Sequence, residues 1–437
     1  MPSGTDNHVL SGRRAVVVGG VRTPFVKAFA EFLKLDTIAL GAAAVRGLLS
    51  RYPVPRAEID ALIWGGVVLP GLAPNIGREI VLDTPLDPRV EAMTVTRACT
   101  SGLQAITLAA AAIERGEADV VIAGGSDSTS NAEVKLPQKV VHAAAPLIYG
   151  KPTPADILGV LAQMFPLSEV LPRVPRIAER TTGKLMGESA EEMARRNEIP
   201  RAAQDELAVL SHQRAAAAIA SGRFAAEVVP VEAGGRWVHT DTIVRADTSV
   251  EKLSKLKPVF AADGTLTAGN SSPLTDGAAA VLLMSEDKAR ALGFKALARF
   301  ASWAYVGVDP ADQLLIGPAL AMPLALQRAG YDLGDMDLID MHEAFAAQVL
   351  SVIKVMASDA FARLRLGREK AVGRIDMDRL NVHGGSLALG HPFAATGARM
   401  VTTMANELAA TGKRSALLGI CAAGGLGAAA VLENAAR

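Results

Sequence analysis

Apolar and polar positions divide the first part of this chain into short runs that alternate between two periods. The run "RAVVVG" (14–19) has the length and β-branched content of a buried strand. "TIALGAAAVRGLLSRY" (37–52) repeats its apolar positions at helical spacing, and "IDALIWGGVVL" (59–69) returns to a strand. "VEAMTVT" (90–96) reads as a strand, 101–115 as an apolar helix, and "ADVVIAGGSDS" (118–128) as a further strand. Strands alternating with helices predict an α/β fold with parallel pairing.

The texture changes after about residue 130. Prolines stand at 137, 146, 152, 154, 166, 172 and 175, and regular alternation stops. A helical stretch follows over 189–222, with Ser189 and Glu192 at capping-box spacing. "GTLTAGNSSPLTDGAAAVLLMS" (264–285) resumes the buried pattern. Residues 101–125 and 396–425 share an outline: a small residue and glycine, a helix, a charged turn, then a strand ending in Ala-Gly-Gly. This predicts two similar α/β halves, 1–130 plus 258–290 and 291–437, with 131–257 as an inserted loop domain.

Composition adds three constraints. Half the residues are hydrophobic and 4% aromatic, so the core is built from Ala, Val, Leu and Ile. Lys+Arg equals Asp+Glu, at 45 each, which gives no electrostatic footprint for nucleic acid. The only cysteines, at 99 and 421, do not make a disulfide framework, which points to a reducing, cytoplasmic setting. The opening residues, with Asp6 among them, have no apolar core of a secretory signal. The uncharged run 415–432 is long enough for a membrane span, but its central glycines favour strand, tight turn, strand.

Four positions then stand out. Cys99 sits between a predicted strand and a helix start capped by Thr100 or Ser101, where the helix end favours a thiolate. Taken alone it reads equally as a small core residue. His391 lies between Gly390 and Pro392 in "GGSLALGHPFAATG" (384–397), Cys421 ends a strand before a double glycine, and His342 stands where a strand-like run meets a helix. "HEAFA" (342–346) lacks the second histidine of a zinc-protease helix, and no Cys-x-x-Cys pair is present, so no metal is expected.

Seven ordered motifs carry a resemblance: "RTPF" (22–25), "VTRACTSGLQAI" (95–106), "AGGSDSTS" (123–130), "LTAGNSSPLTDGAAAVLLM" (266–284), "MHEAFAAQ" (341–348), "NVHGGSLALGHPFAATGARM" (381–400) and "CAAGGLGAA" (421–429). The chain resembles the thiolases nearly end to end, and within them the β-subunit branch of the trifunctional fatty-acid oxidation complex. The resemblance implies a five-layer α-β-α-β-α fold and acyl transfer between a cysteine and coenzyme A, cleaving 3-ketoacyl-CoA or condensing acetyl-CoA.

It also implies roles. Cys99 would be the nucleophile, His391 its base and Cys421 the proton shuttle. His391 and His342, the latter in place of the family's usual asparagine, would form one oxyanion hole. The amides of Cys99 and of the Ala423–Gly424 turn would form another. Ser272 would lie near the thioester or serve only its turn, and Met186 would touch the pantetheine arm or belong to the core. Arg173, Arg176, Arg180 and Lys184 would meet phosphates or form a solvated basic face, and His383 would pack behind the site. Leu158, Leu161, Met164 and Phe165 would pack on a dimer face or tunnel, or meet a partner or membrane. No cofactor is implied, since coenzyme A is a substrate. A homodimer or homotetramer is implied, and a hydratase–dehydrogenase subunit is a candidate partner. The alternatives are a ketosynthase-type condensing enzyme, which would not need a second thiol at 421, and a non-catalytic acyl-CoA or lipid carrier.

Overall fold

The computed structural model describes residues 12–171 and 177–436. The Asp6 region, Arg173 and Arg176 lie outside them. Among the described residues, ten strands form one sheet: β1 (Ala15–Arg22), β2 (Val26–Lys27), β3 (Ala61–Gly65), β4 (Glu91–Val95), β5 (Val120–Ser128), β6 (Thr275–Ser285), β7 (Ala298–Gly307), β8 (Leu338–Met341), β9 (Ser415–Ala422) and β10 (Leu426–Asn434). The helices that position the site are α1 (Thr37–Arg51), α2 (Ile76–Leu82), α3 (Ser101–Glu114), α4 (Met186–Arg196), α5 (Arg201–Ala220), α6 (Pro318–Ala329), α7 (Ala346–Met356) and α8 (Ala395–Thr411).

The strand order is β8-β9-β10-β7-β1-β6-β5-β3-β4, with β2 on β6. Read outward from the middle, β1-β6-β5-β3-β4 and β7-β10-β9-β8 are two copies of one arrangement. The fifth place of the second copy is a single parallel bridge, Ile339 to Leu380. The copies meet through two residue pairs of β1 and β7. The sheet is mixed. β3 pairs in parallel with β4 and β5, and β8 with β9, while the remaining pairings are antiparallel. The expectation of parallel pairing therefore holds only for the outer strands. β9 and β10 are joined directly by the 423–425 turn, which reverses the chain.

Strand alternation distributes side chains to two faces, both buried. In β5, Val120 and Ile122 pack with Leu40 and Leu48 of α1 and Ile80 of α2. Val121 and Ala123 face the opposite way, toward Ile106 and Ala110 of α3 and Val401 and Met404 of α8. That middle cluster also takes Leu418 and Ile420 of β9, so α3 and α8 lie between the two halves of the sheet. Beyond the second half, Leu417 and Val431 pack with Met322 of α6 and Val352 of α7, joined by Met193 of α4 and Leu207 of α5. These are the five layers. Fully burying each such aliphatic side chain contributes about 1.5–3 kcal/mol.

The middle layer depends on small residues. A Cβ at Gly102 would collide with the Ala394 carbonyl, and one at Gly397 would lie 2.6 Å from the Leu103 amide. Glycine at both places lets the starts of α3 and α8 nearly touch.

The 189–222 helical stretch is two helices, since Pro200 cannot continue α4 and instead precedes α5. Ser189 lies inside α4; Glu188, whose carboxylate accepts from the Leu185 amide at 2.7 Å, caps it. Within 264–285, where the buried pattern resumes, the strand itself begins at Thr275. Residues 132–177 form a separate compact unit with helices Gln138–Tyr149 and Pro154–Gln163. Among the described residues, no helix is long and apolar enough to cross a membrane, and 415–434 is a strand, turn and strand.

Candidate active site

Cys99 follows β4 in a tight turn. Ala98 has a left-handed backbone (φ 46°), and Thr100 and Ser101 donate their hydroxyls back to the Arg97 and Ala98 carbonyls at 2.8 and 2.6 Å. The hydroxyls thus brace the turn, and Thr100 makes no side-chain cap on α3. Cys99 is half-buried in apolar surroundings. Burial pushes its thiol up to about 12, partly opposed by hydrogen bonds from the Ala423 amide and its own. This reverses the expectation of a lowered value, because desolvation outweighs the half-charge of the helix end.

His391 is carried by the loop before α8. Gly390 reaches it through a left-handed backbone (φ 98°), and the His391 amide donates to Thr275 Oγ1 at 3.0 Å. Its Nδ1 bonds Thr396 Oγ1 at 2.6 Å, while its buried Nε2 has no partner among the described residues. Burial lowers its pKa to about 3, with Arg399 adding to the effect.

His342 stands one residue past β8 and continues the ladder by donating its amide to Gly419 O at 2.8 Å. Its Nδ1 bonds Ser386 Oγ at 2.8 Å, and its buried Nε2 is likewise without a partner. Burial, then His391 and Arg399, lower its pKa well below the usual imidazole range. The two rings lie 4.1 Å apart between centroids. Cys99 Sγ and one nitrogen of each ring all fall within 4.8 Å of one another. The resting thiol and imidazoles are thus neutral and packed together, the two rings buried and the thiol half-buried.

Cys421 is buried on β9 opposite Gly427. Burial raises its pKa well above the usual thiol value, and Cys99 raises it further. In the turn that follows, the Ala423 amide bonds the Cys99 thiol. The Gly424 amide donates to Glu179 Oε2 at 2.9 Å, which leaves Ala423 as the turn amide facing Cys99.

Sequence reasoning missed the clamps behind these groups. Asn381 (φ 46°) receives the Met341 amide at 2.7 Å and donates to the Met341 carbonyl at 2.9 Å and to Glu343 at 2.6 Å. Glu343 also accepts from Ser211 Oγ at 2.7 Å and the Leu387 amide at 3.1 Å, joining the His342 and His391 loops. Asp127 accepts from the amides of Val67, Val68 and Ala394 at 2.9, 2.6 and 2.8 Å. Burial nevertheless pushes its pKa up to about 7. The Asp and Asn were inside the quoted motifs; nothing local marked them as clamps.

The remaining expected residues are more dispersed. The Ser272 amide donates to Ala344 O at 3.0 Å, beside the His342 loop. Met186 opens α4 and packs against the outer core of the second half. Lys184 is paired with Glu192 at 2.5 Å, and Arg180 is exposed. His383 bonds Glu407 at 2.7 Å. Within the 132–177 unit, Leu158, Leu161 and Phe165 are exposed and Met164 is half-buried.

A mixed α/β sheet with cysteine and histidine gathered at its strand ends fits an acyl-transfer enzyme. The family profiles agree: thiolase N-terminal domain matches residues 15–287, and thiolase C-terminal domain matches 294–434. This chain belongs to the thiolase family of acyltransferases. It is 46% identical to a 3-ketoacyl-CoA thiolase of Pseudoalteromonas translucida over 97% of this chain and 98% of the relative. It is 44% identical to one of Vibrio cholerae, over 97% and 98%. Among solved structures, human mitochondrial 3-ketoacyl-CoA thiolase superposes with a TM-score of 0.82 at 30% identity, covering 97% of this chain and 99% of that one. The acetyl-CoA acetyltransferase of Bacillus anthracis gives 0.81 at 32%, with coverage of 97% and 99%.

Proposed function

We propose that this thiolase cleaves 3-ketoacyl-CoA with free coenzyme A, giving acetyl-CoA and an acyl-CoA shortened by two carbons. The observation that carries the reading is the gathering of Cys99 Sγ with nitrogens of His342 and His391 within 4.8 Å. His391 takes the Cys99 proton through its unpartnered Nε2 as the sulfur attacks the 3-keto carbon. The carbonyl oxygen becomes negative and is met by N–H donors in a largely buried site, where such bonds are strong. The C2–C3 bond then breaks, and Cys421 protonates C2 of the departing acetyl-CoA enolate. In the second half, Cys421 thiolate accepts the proton of the coenzyme A thiol, whose sulfur attacks the acyl carbon. Cys99 leaves as thiolate and recovers its proton from His391, which restores all three groups.

His342 and His391 serve the acetyl thioester oxygen, and the amides of Cys99 and Ala423 serve the acyl oxygen. Gly424 shapes that turn, Ser272 borders the thioester, and Met186 and Arg180 face the coenzyme. Ser386 can donate to or accept from His342, so either ring nitrogen can hold the proton. Neither metal nor bound cofactor is required by these steps. A ketosynthase does not need the second thiol, and a carrier does not need this set.

The halves 1–130 plus 258–290 and 291–437 around a 131–257 loop domain are our division, favoured by the repeated strand order. A homodimer or homotetramer with a hydratase–dehydrogenase partner is favoured by the exposed Leu158, Leu161 and Phe165. The two free thiols suit the reducing cytoplasm.

The test is thiolysis of short-, medium- and long-chain 3-ketoacyl-CoA, followed by loss of enolate absorbance on adding coenzyme A. Turnover across several chain lengths is expected. Turnover of acetoacetyl-CoA alone would restrict the enzyme to acetyl transfer, and binding without turnover would favour the carrier.

A further inference from the structure

We infer that Cys99, His342 and His391 form a binding site for a soft divalent cation of the Zn²⁺ class, and that occupancy of this site blocks acyl transfer. Binding is inferred from donor geometry alone, and the block on acyl transfer rests on the roles proposed above for Cys99 and His391.

Three observations carry it. The donor atoms of the three side chains all lie within 4.8 Å of one another. A tetrahedral zinc ion, with bonds of about 2.0–2.3 Å, holds its donors about 3.3–3.8 Å apart, so small side-chain rotations close the cage. Both buried Nε2 atoms lack a partner among the described residues, so neither gives up a hydrogen bond to those residues when it coordinates. Each Nδ1 is held by a hydroxyl, Ser386 for His342 and Thr396 for His391. With the proton on Nδ1, these bonds direct the Nε2 lone pairs inward, the outer support that histidine ligands commonly have.

The donor set is two imidazoles and one thiolate, the chemistry that selects zinc and its neighbours over magnesium or calcium. Three protein ligands leave a fourth position for water or an incoming thiol. Binding releases one proton: the Cys99 thiol and the aqueous cation become a thiolate–metal bond and a proton in solvent. No electron changes hands. An ion held there occupies the nucleophile sulfur and the nitrogen that must accept its proton. The feature depends on His342; an asparagine there would remove one of the two nitrogens.

The test titrates the full chain with Co²⁺, whose thiolate complexes absorb in the near ultraviolet. One ion per chain and a thiolate-to-cobalt band are expected, with the band absent in Cys99→Ala and retained in Cys421→Ala. His342→Asn should weaken binding beyond the ~10–100-fold that loss of an outer-shell partner costs. Independently of any variant, saturating Zn²⁺ should slow alkylation of the Cys99 peptide by iodoacetamide at least about tenfold, and chelator should restore it. Absence of the band at millimolar cobalt, its persistence in Cys99→Ala, or unchanged alkylation under zinc would each overturn the assignment.

Discussion

His383 and His391 stand in the same glycine-rich stretch, and the structure treats them in opposite ways. His383 bonds Glu407 at 2.7 Å, beside Arg223 on the same carboxylate, with its ring edge-on to Phe224. Burial tends to raise Glu407, yet the bonds from His383 and Arg223 bring it down to about 2. His391 has no carboxylate partner among its hydrogen bonds, one hydroxyl on Nδ1, and a bare Nε2 against a second imidazole. A buried polar atom without a partner costs about 1–3 kcal/mol, so such atoms persist where something outside the folded chain uses them. The satisfied histidine is tied into the fold, and the unsatisfied one is the base of the proposed mechanism.

The largest expected effect comes from breaking the unsatisfied side. His391→Ala should lower thiolytic turnover by about 10²–10⁴-fold, the usual range for a lost general base. A loss of less than about tenfold in initial rates would remove it from the proton path. Next, His342→Ala should cost about 10²–10³-fold, as for a single oxyanion donor. His342→Asn should recover much of that, because an amide can donate to the same oxygen. Equal losses in the two variants would mean that His342 acts through packing.

The neutral resting state makes a pH prediction. His391, lowered to about 3, is neutral throughout the neutral and alkaline range. Cys99, raised to about 12, gains thiolate about tenfold per pH unit below it. The alkylation rate of substrate-free enzyme should therefore climb steadily from neutral pH to pH 10. A plateau below pH 8 would show a preformed thiolate instead. The smallest effect belongs to the satisfied side: His383→Gln should leave turnover within about twofold and lower stability by about 1 kcal/mol in urea unfolding.

Much of this was legible in the sequence because local features announce strand and helix ends. The β-branched run before Cys99, the double glycine after Cys421 and the Gly-His-Pro turn at 391 each stand at an observed boundary. What escaped was set by distant partners. Whether Cys99 is activated by its helix or suppressed by burial depends on Ala423 and the walls around it, far along the chain. Asn381 is polar and sits in a loop, and only the fold brings it to both Met341 and Glu343. The parallel expectation failed for a similar reason. The strands on either side of the inserted segment, β5 and β6, pair with each other in antiparallel fashion, and no local pattern announces that.

The most direct test of the central claim is to incubate the Cys421→Ala variant with acetyl-CoA and map the acyl group by peptide mass analysis. One acetyl group on the Cys99 peptide, formed slowly because coenzyme A must then leave as an unprotonated thiolate, with carbon–carbon cleavage of 3-ketoacyl-CoA lost, is the predicted result. An unlabelled Cys99 in a folded variant, or cleavage at the normal rate, would contradict the division of labour between the two thiols.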